Sequence, residues 1–140
     1  MTFIAALAFA SVAVAQDAPA PATPEQVAAA RTEADRIIAA AGAADLFTNI
    51  TGNANPMVRH RGSGLICIFR NVPEIDRITI YPGGQRGDDV GCNTVDPANG
   101  AETTVYATRY VPLPSEEAVL ADAVRAIKQR FPSARAYEGD

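Results

Sequence analysis

Between Thr51 and Pro114 the chain is cut at short intervals by turn-forming residues, and the runs between the cuts have the length and composition of strands. The cuts are TGNANP at 51–56, Gly62-Ser63-Gly64, Pro82-Gly83-Gly84, DPANG at 96–100, and Pro112 with Pro114. Asn99-Gly100 suits a turn with positive φ. Met57 to Arg61 and Leu65 to Arg70 flank the Gly-Ser-Gly triplet as a hairpin would. LICIF, at 65–69, is apolar on both faces and reads as a central strand covered on both sides. RITIY, at 77–81, alternates, with Ile78 and Ile80 to one side. Val90 to Val95 is a further short strand, and Thr103 to Val111 is rich in β-branched and aromatic residues.

Helical patterns flank this region. Thr23, Pro24 and Gln26 form a Thr-x-x-Gln capping box with proline at the first helical position. Val27, Ala30, Ala34, Ile37 or Ile38, and Ala41 then recur at helical spacing, and Gly42 is the stop. Ala43 to Ile50 reads as a short turn that buries Leu46, Phe47 and Ile50. Near the other end Ser115 caps a second helix, with Glu116 and Glu117 in its first turn. Leu120, Val124, Ile127 and Phe131 make its apolar stripe, which is expected to pack on the sheet, and Pro132 ends it. The expected fold is α+β: one mostly antiparallel sheet of about five strands between an N-terminal and a C-terminal helix. At 140 residues there is room for one domain, placed at 24–140. SARAYEGD follows directly on a helix where another strand would be a natural next element. One expectation is therefore that the chain is a trimmed piece of a longer domain.

The first residues bound the compartment. Phe3 to Ala15 is apolar and uncharged, too short to span a bilayer core comfortably, and ends in the small-x-small pattern Ala13-Val14-Ala15. It reads as a signal peptide over 1–15, followed by a Pro/Ala-rich linker over 16–23 and leaving no membrane anchor once cleaved. Its n-region carries only the α-amino charge, and an N-terminal membrane anchor is the alternative. Export to an oxidising compartment favours a disulfide between Cys67 and Cys92, the only cysteines; two buried free thiols are the alternative. Two cysteines and one histidine do not make a four-ligand zinc site. A net charge of −4 argues against general nucleic-acid binding.

The candidate chemistry is sparse. Arg59, Arg61, Arg86 and Arg109 are candidate contacts for an anion or an acidic partner, since guanidinium grips carboxylate and phosphate in a two-pronged fashion. His60, the only histidine, is an acid–base candidate with Asp88 or Asp89. Ser63 reads as a turn residue because Gly-x-Ser-x-Gly is absent. Asp88 and Asp89 are adjacent, so in an extended segment they point to opposite faces and make a poor dyad. Their bland reading is loop architecture, pairing with Arg86 or Arg109. Gly83, Gly84 and Gly87 lack Walker or Rossmann spacing, and Asp88, Asp89, Asn93 and Asp96 are out of EF-hand register. No cofactor or metal is expected.

The run His60…Ser63-Gly64-Leu65…Cys67…Phe69, then Arg86-Gly87-Asp88-Asp89-Val90-Gly91-Cys92, then Thr104…Tyr106-Ala107-Thr108-Arg109-Tyr110, resembles small uncharacterised exported proteins of alphaproteobacteria. The resemblance covers about Met57 to Val111. It implies a periplasmic location and a Cys67–Cys92 bridge, and it carries no activity or catalytic residue with it. The expected role is a non-enzymatic periplasmic or secreted binding module. Two other readings stand beside it: a small hydrolase or transferase using His60, and an inhibitor of an exported enzyme acting through the 82–91 loop.

Overall fold

The computed structural model describes residues 21–139. The signal-peptide expectation over 1–15 and most of the 16–23 linker lie outside the described residues. Helix α1, Pro24–Ala40, starts as its capping box dictates: the Gln26 N–H donates to the Thr23 hydroxyl (3.3 Å) and the Thr23 N–H donates to the Gln26 side-chain oxygen (2.8 Å). It stops at Gly42, whose φ of +58° is easy only for glycine. Its stripe of Ala30, Ala34, Ile37 and Ile38 is buried. Small side chains let the helix axis approach the sheets closely.

Six strands follow, and the protein is α+β. Strands β1 (Phe47–Asn49), β2 (Met57–His60) and β3 (Ile66–Ile68) form an antiparallel sheet in the order β1-β2-β3. Strands β4 (Arg77–Ile80), β5 (Asp89–Val95) and β6 (Glu102–Thr108) form a second antiparallel sheet in the order β4-β5-β6. Two three-stranded sheets thus replace the single five-stranded sheet expected. The extra strand is β1: after a tight turn at 43–46, Phe47 to Asn49 pairs with β2 in the register Phe47↔His60. The hairpin about Gly62-Ser63-Gly64 is as expected, with Val58 opposite Cys67.

LICIF is not a covered central strand. It forms β3, at the edge of its sheet, so only one face meets the core. Cys67 and Phe69 are buried on that face, while Ile66 and Ile68 stand about half exposed on the other. The core lies where α1 packs against both sheets. Phe47 and Val58 come from the first sheet, Ile78, Val90 and Cys92 from the second, and Phe69 just follows β3. Cys67 and Cys92 are joined by a disulfide that ties β3 to β5, and so one sheet to the other. Closing a loop of that separation stabilises the fold by about 3 kcal/mol in the chain-entropy account.

Helix α2, Glu116–Arg130, starts at Ser115, whose hydroxyl accepts the Ala118 N–H. Its stripe does not pack as expected, for the helix has no buried residue. It overlooks the outer face of the second sheet across a groove of about 1020 Å³. That face presents the Tyr81–Tyr106 pair among Arg77, Thr79, Asn93 and Thr104, and the helix stands off from it. No helix among the described residues is long and apolar enough to cross a membrane.

Candidate functional site

Strand β2 alternates as a half-buried strand must: Val58 and His60 point inward, and Arg59 and Arg61 outward. His60 is 3% exposed, its ring tilted against Phe47 with centroids 5.0 Å apart. The turn after it folds back on the imidazole. The Ser63 N–H donates to Nδ1 (3.2 Å), and the Ser63 hydroxyl lies 2.9 Å from the same nitrogen while accepting the Leu65 N–H (3.2 Å). A nitrogen that accepts a backbone N–H carries no proton, so the ring is neutral with its hydrogen on Nε2. Burial pushes the imidazole pKa below its ordinary value, in the same direction. Gly62 lies on the ring: a Cβ there would come within 3.1 Å of Cε1, so a larger residue would push the imidazole by a few tenths of an ångström.

The opposite wall comes from the 82–88 loop and the end of β6. Gly87, at φ +95°, packs where a Cβ would fall 2.7 Å from Leu46, which seats the loop on the first sheet's side of the molecule. Asp88 then caps its own loop, Oδ2 accepting the Gln85 N–H (3.0 Å). Its backbone oxygen accepts the Arg109 N–H (2.6 Å), and the Arg109 guanidinium stands 3.8 Å from Oδ1. His60, Gly62, Ser63, Gly87, Asp88 and Arg109 therefore line one cleft of about 410 Å³, together with Ala107 and Thr108.

Four of the sequence's candidates fall elsewhere. Asp89 faces away and accepts the Thr108 hydroxyl (2.9 Å). Arg86 is ion-paired with Asp45 and also donates to the Gly42 carbonyl (2.5 Å), pinning the loop to the end of α1. Arg59 and Arg61 lie on the outer face of the first sheet, where Arg61 donates to Thr48 (3.0 Å). The four arginines thus share no common face. Ser63 is the turn residue expected, and the turn also brings its hydroxyl and N–H onto the His60 ring. Asp45 had no signal in the sequence, being an exposed acid far from Arg86 in the chain.

The Ser63–His60 contact is not a nucleophile–base pair of the triad type. There the serine meets one ring nitrogen while a carboxylate orients the other. Here the serine and its own N–H occupy the orienting nitrogen, and Nε2 makes no hydrogen bond within the described residues. What the cleft offers a ligand is an N–H donor on a neutral ring and a guanidinium whose nearest carboxylate lies beyond hydrogen-bond length. Among the described residues no three His, Cys, Asp or Glu side chains group as metal ligands would. No protein-family model, curated protein or solved structure matches this chain.

Proposed function

We propose that the protein is an exported, periplasmic or secreted, non-enzymatic binding module that holds a small carboxylate- or phosphate-bearing molecule in the His60–Arg109 cleft. One observation carries the reading: Arg109, its side chain 69% exposed, stands at a cleft whose other wall presents the unpartnered Nε2 of a buried, oriented histidine. A guanidinium with free donors beside a fixed neutral donor is chemistry that recognises an oxyanion. The disulfide and the apolar leader support the oxidising compartment.

Thermal unfolding against a panel of phosphate, sulfate, acetate and dicarboxylates tests the reading. A ligand at a hundredfold excess over Kd stabilises by about 2.7 kcal/mol, which raises Tm by roughly 10 °C in a domain of this size. Arg109→Ala removes the shift. A flat response across the panel refutes the small-anion reading.

A second reading, acid–base chemistry by His60, draws on His60 and Asp88 lining the same cleft. Turnover of ester or phosphoester probes that His60→Gln abolishes would favour it over simple binding. The inhibitor reading through residues 82–91 loses its cation, since Arg86 is already engaged by Asp45 and Gly42.

A further inference from the structure

Helix α2 is an amphipathic helix whose apolar side is not buried against any of the described residues, although Ile127 and Phe131 line the groove it shares with the second sheet. Leu120, Val124, Ile127 and Phe131 are each at least half exposed, and the spacing between them runs four, three, four. This is the a/d repeat of a helix that pairs with another helix. A solitary helix of 15 residues is marginal in water, so the stripe needs a partner. The sheet face it overlooks carries the Tyr81–Tyr106 pair among polar residues, but an open groove separates the two and no residue of the helix is buried against it.

The charges beside the stripe specify the partner. Helical spacing puts Glu117 and Lys128 along one edge of the stripe and Glu116 and Arg130 along the other. None of these four makes an ion pair among the described residues; Asp122 and Arg125, on the far side, pair with each other. Each edge is acidic at its N-terminal end and basic at its C-terminal end. When two copies of this helix lie antiparallel, like edges meet. Glu117 then faces Lys128 of the other copy on one side, and Glu116 faces Arg130 on the other. A parallel pair would instead set Glu117 against Glu116 and Lys128 against Arg130.

We infer that α2 is the interface of a homodimer in which two copies pair antiparallel about a two-fold axis. The seam is short. With those charges level, Leu120 and Val124 of each copy meet at the centre of the seam, a contact well below the roughly 800 Å² per partner of a standard interface, so the dimer is reversible, with a dissociation constant on the order of 10 μM to 1 mM.

Sedimentation equilibrium of the purified chain over that concentration range tests the inference. The expected result is a monomer–dimer equilibrium. Glu117→Lys and Lys128→Glu each place two like-charge contacts across the axis and weaken it about three- to tenfold. The double variant Glu117→Lys/Lys128→Glu recreates the complementary pattern and restores the affinity to within about twofold. All these positions are exposed, so circular dichroism of the variants should match the parent. A chain that stays monomeric to about 1 mM overturns the inference. So does a dimer indifferent to both single changes, as pairing through the β6 edge would be. A dimer that the double variant fails to restore overturns it as well.

Discussion

Helix α1 and helix α2 are both capped by a hydroxyl side chain, both carry an apolar stripe at helical spacing, and both end at a helix breaker. The stripe of α1 is half alanine and is buried; that of α2 holds leucine, valine, isoleucine and phenylalanine and is exposed. Residue size alone would rank them the other way, since burying each large side chain is worth about 1.5–3 kcal/mol. The receiving surface decides. Helix α1 meets the inward faces of both sheets, where Phe47, Val58 and Ile78 interdigitate with small residues on the helix. Helix α2 stands across an open groove from the outward face of the second sheet, where Arg77, Thr79, Asn93 and Thr104 surround the Tyr81–Tyr106 pair, and no side chain of the helix is buried. Helix α1 and the inward faces of both sheets supply a core, and the last helix supplies a surface.

The largest test of that contrast is a matched pair of truncations. Phe47→Ala, at a site 1% exposed, is expected to cost about 3–5 kcal/mol and lower Tm by more than about 10 °C. Leu120→Ala, at a site 65% exposed, should change the stability of the dilute monomer by less than about 0.5 kcal/mol. Urea titrations of both variants measure this; comparable losses would mean that α2 is seated on a core after all. Next in size is the bridge. Cys67→Ala/Cys92→Ala removes the tie between the sheets and should cost about 3 kcal/mol. Double substitution is preferable to reductant because both cysteines are nearly inaccessible.

The parts of this architecture that local signals control were legible in the sequence. The capping box set the start of α1, Gly42 its end, and Ser115 the start of α2, because caps and stops act over a few residues. The hairpin through Gly62-Ser63-Gly64 was legible for the same reason. Strand β1 was not, because Phe47 to Asn49 is extended only by virtue of pairing with β2, and three residues carry no periodicity. The division into two sheets was equally hidden, since LICIF has the same composition at an edge as at a centre. In the site, His60 and Ser63 are sequence neighbours, yet the sequence gives no hint that the turn folds onto the ring. Asp88 and Arg109 meet because β5 and β6 pair in the register Asp89↔Thr108, a long-range consequence of the sheet. The same sheet turns Asp89 away.

A gentler comparison of the halves uses their caps. Thr23→Ala should cost about 1 kcal/mol of global stability, because the cap starts a helix that is seated on the core through Ala30, Ala34, Ile37 and Ile38. Ser115→Ala removes an equivalent hydrogen bond from α2 but should leave the global unfolding midpoint in place. Its effect should appear only as a loss of helical signal at 222 nm in the dilute monomer, since local opening of an unpacked helix is decoupled from the core. A global loss from Ser115→Ala equal to that from Thr23→Ala would erase the distinction between the helices.

The smallest effect is confined to mild acid and belongs to the buried side alone. His60 is held neutral by burial, and its Nδ1 must accept the Ser63 N–H to keep the turn closed. Its pKa in the folded protein is therefore below the ordinary imidazole value of about 6.5 that it regains on unfolding. Below that value the unfolded chain takes up a proton that the folded ring resists. Linkage then makes stability fall as pH drops, starting near pH 6.5 and continuing until the folded ring is itself protonated. Above that window both states are neutral at this position and the contribution is flat. Glu117, exposed on α2, also sits below the ordinary carboxylate value, because hydrogen bonds from its own backbone N–H and then from the Ser115 side chain favour its charged form. Any stability it lends is lost as pH falls from the ordinary carboxylate value through its lowered one. Stability measured between pH 7.5 and 5 should thus slope downward in the parent and be shallower in His60→Gln, while Glu117→Gln leaves the slope unchanged. An identical slope in all three would show that the His60–Ser63 turn does not couple protonation to folding.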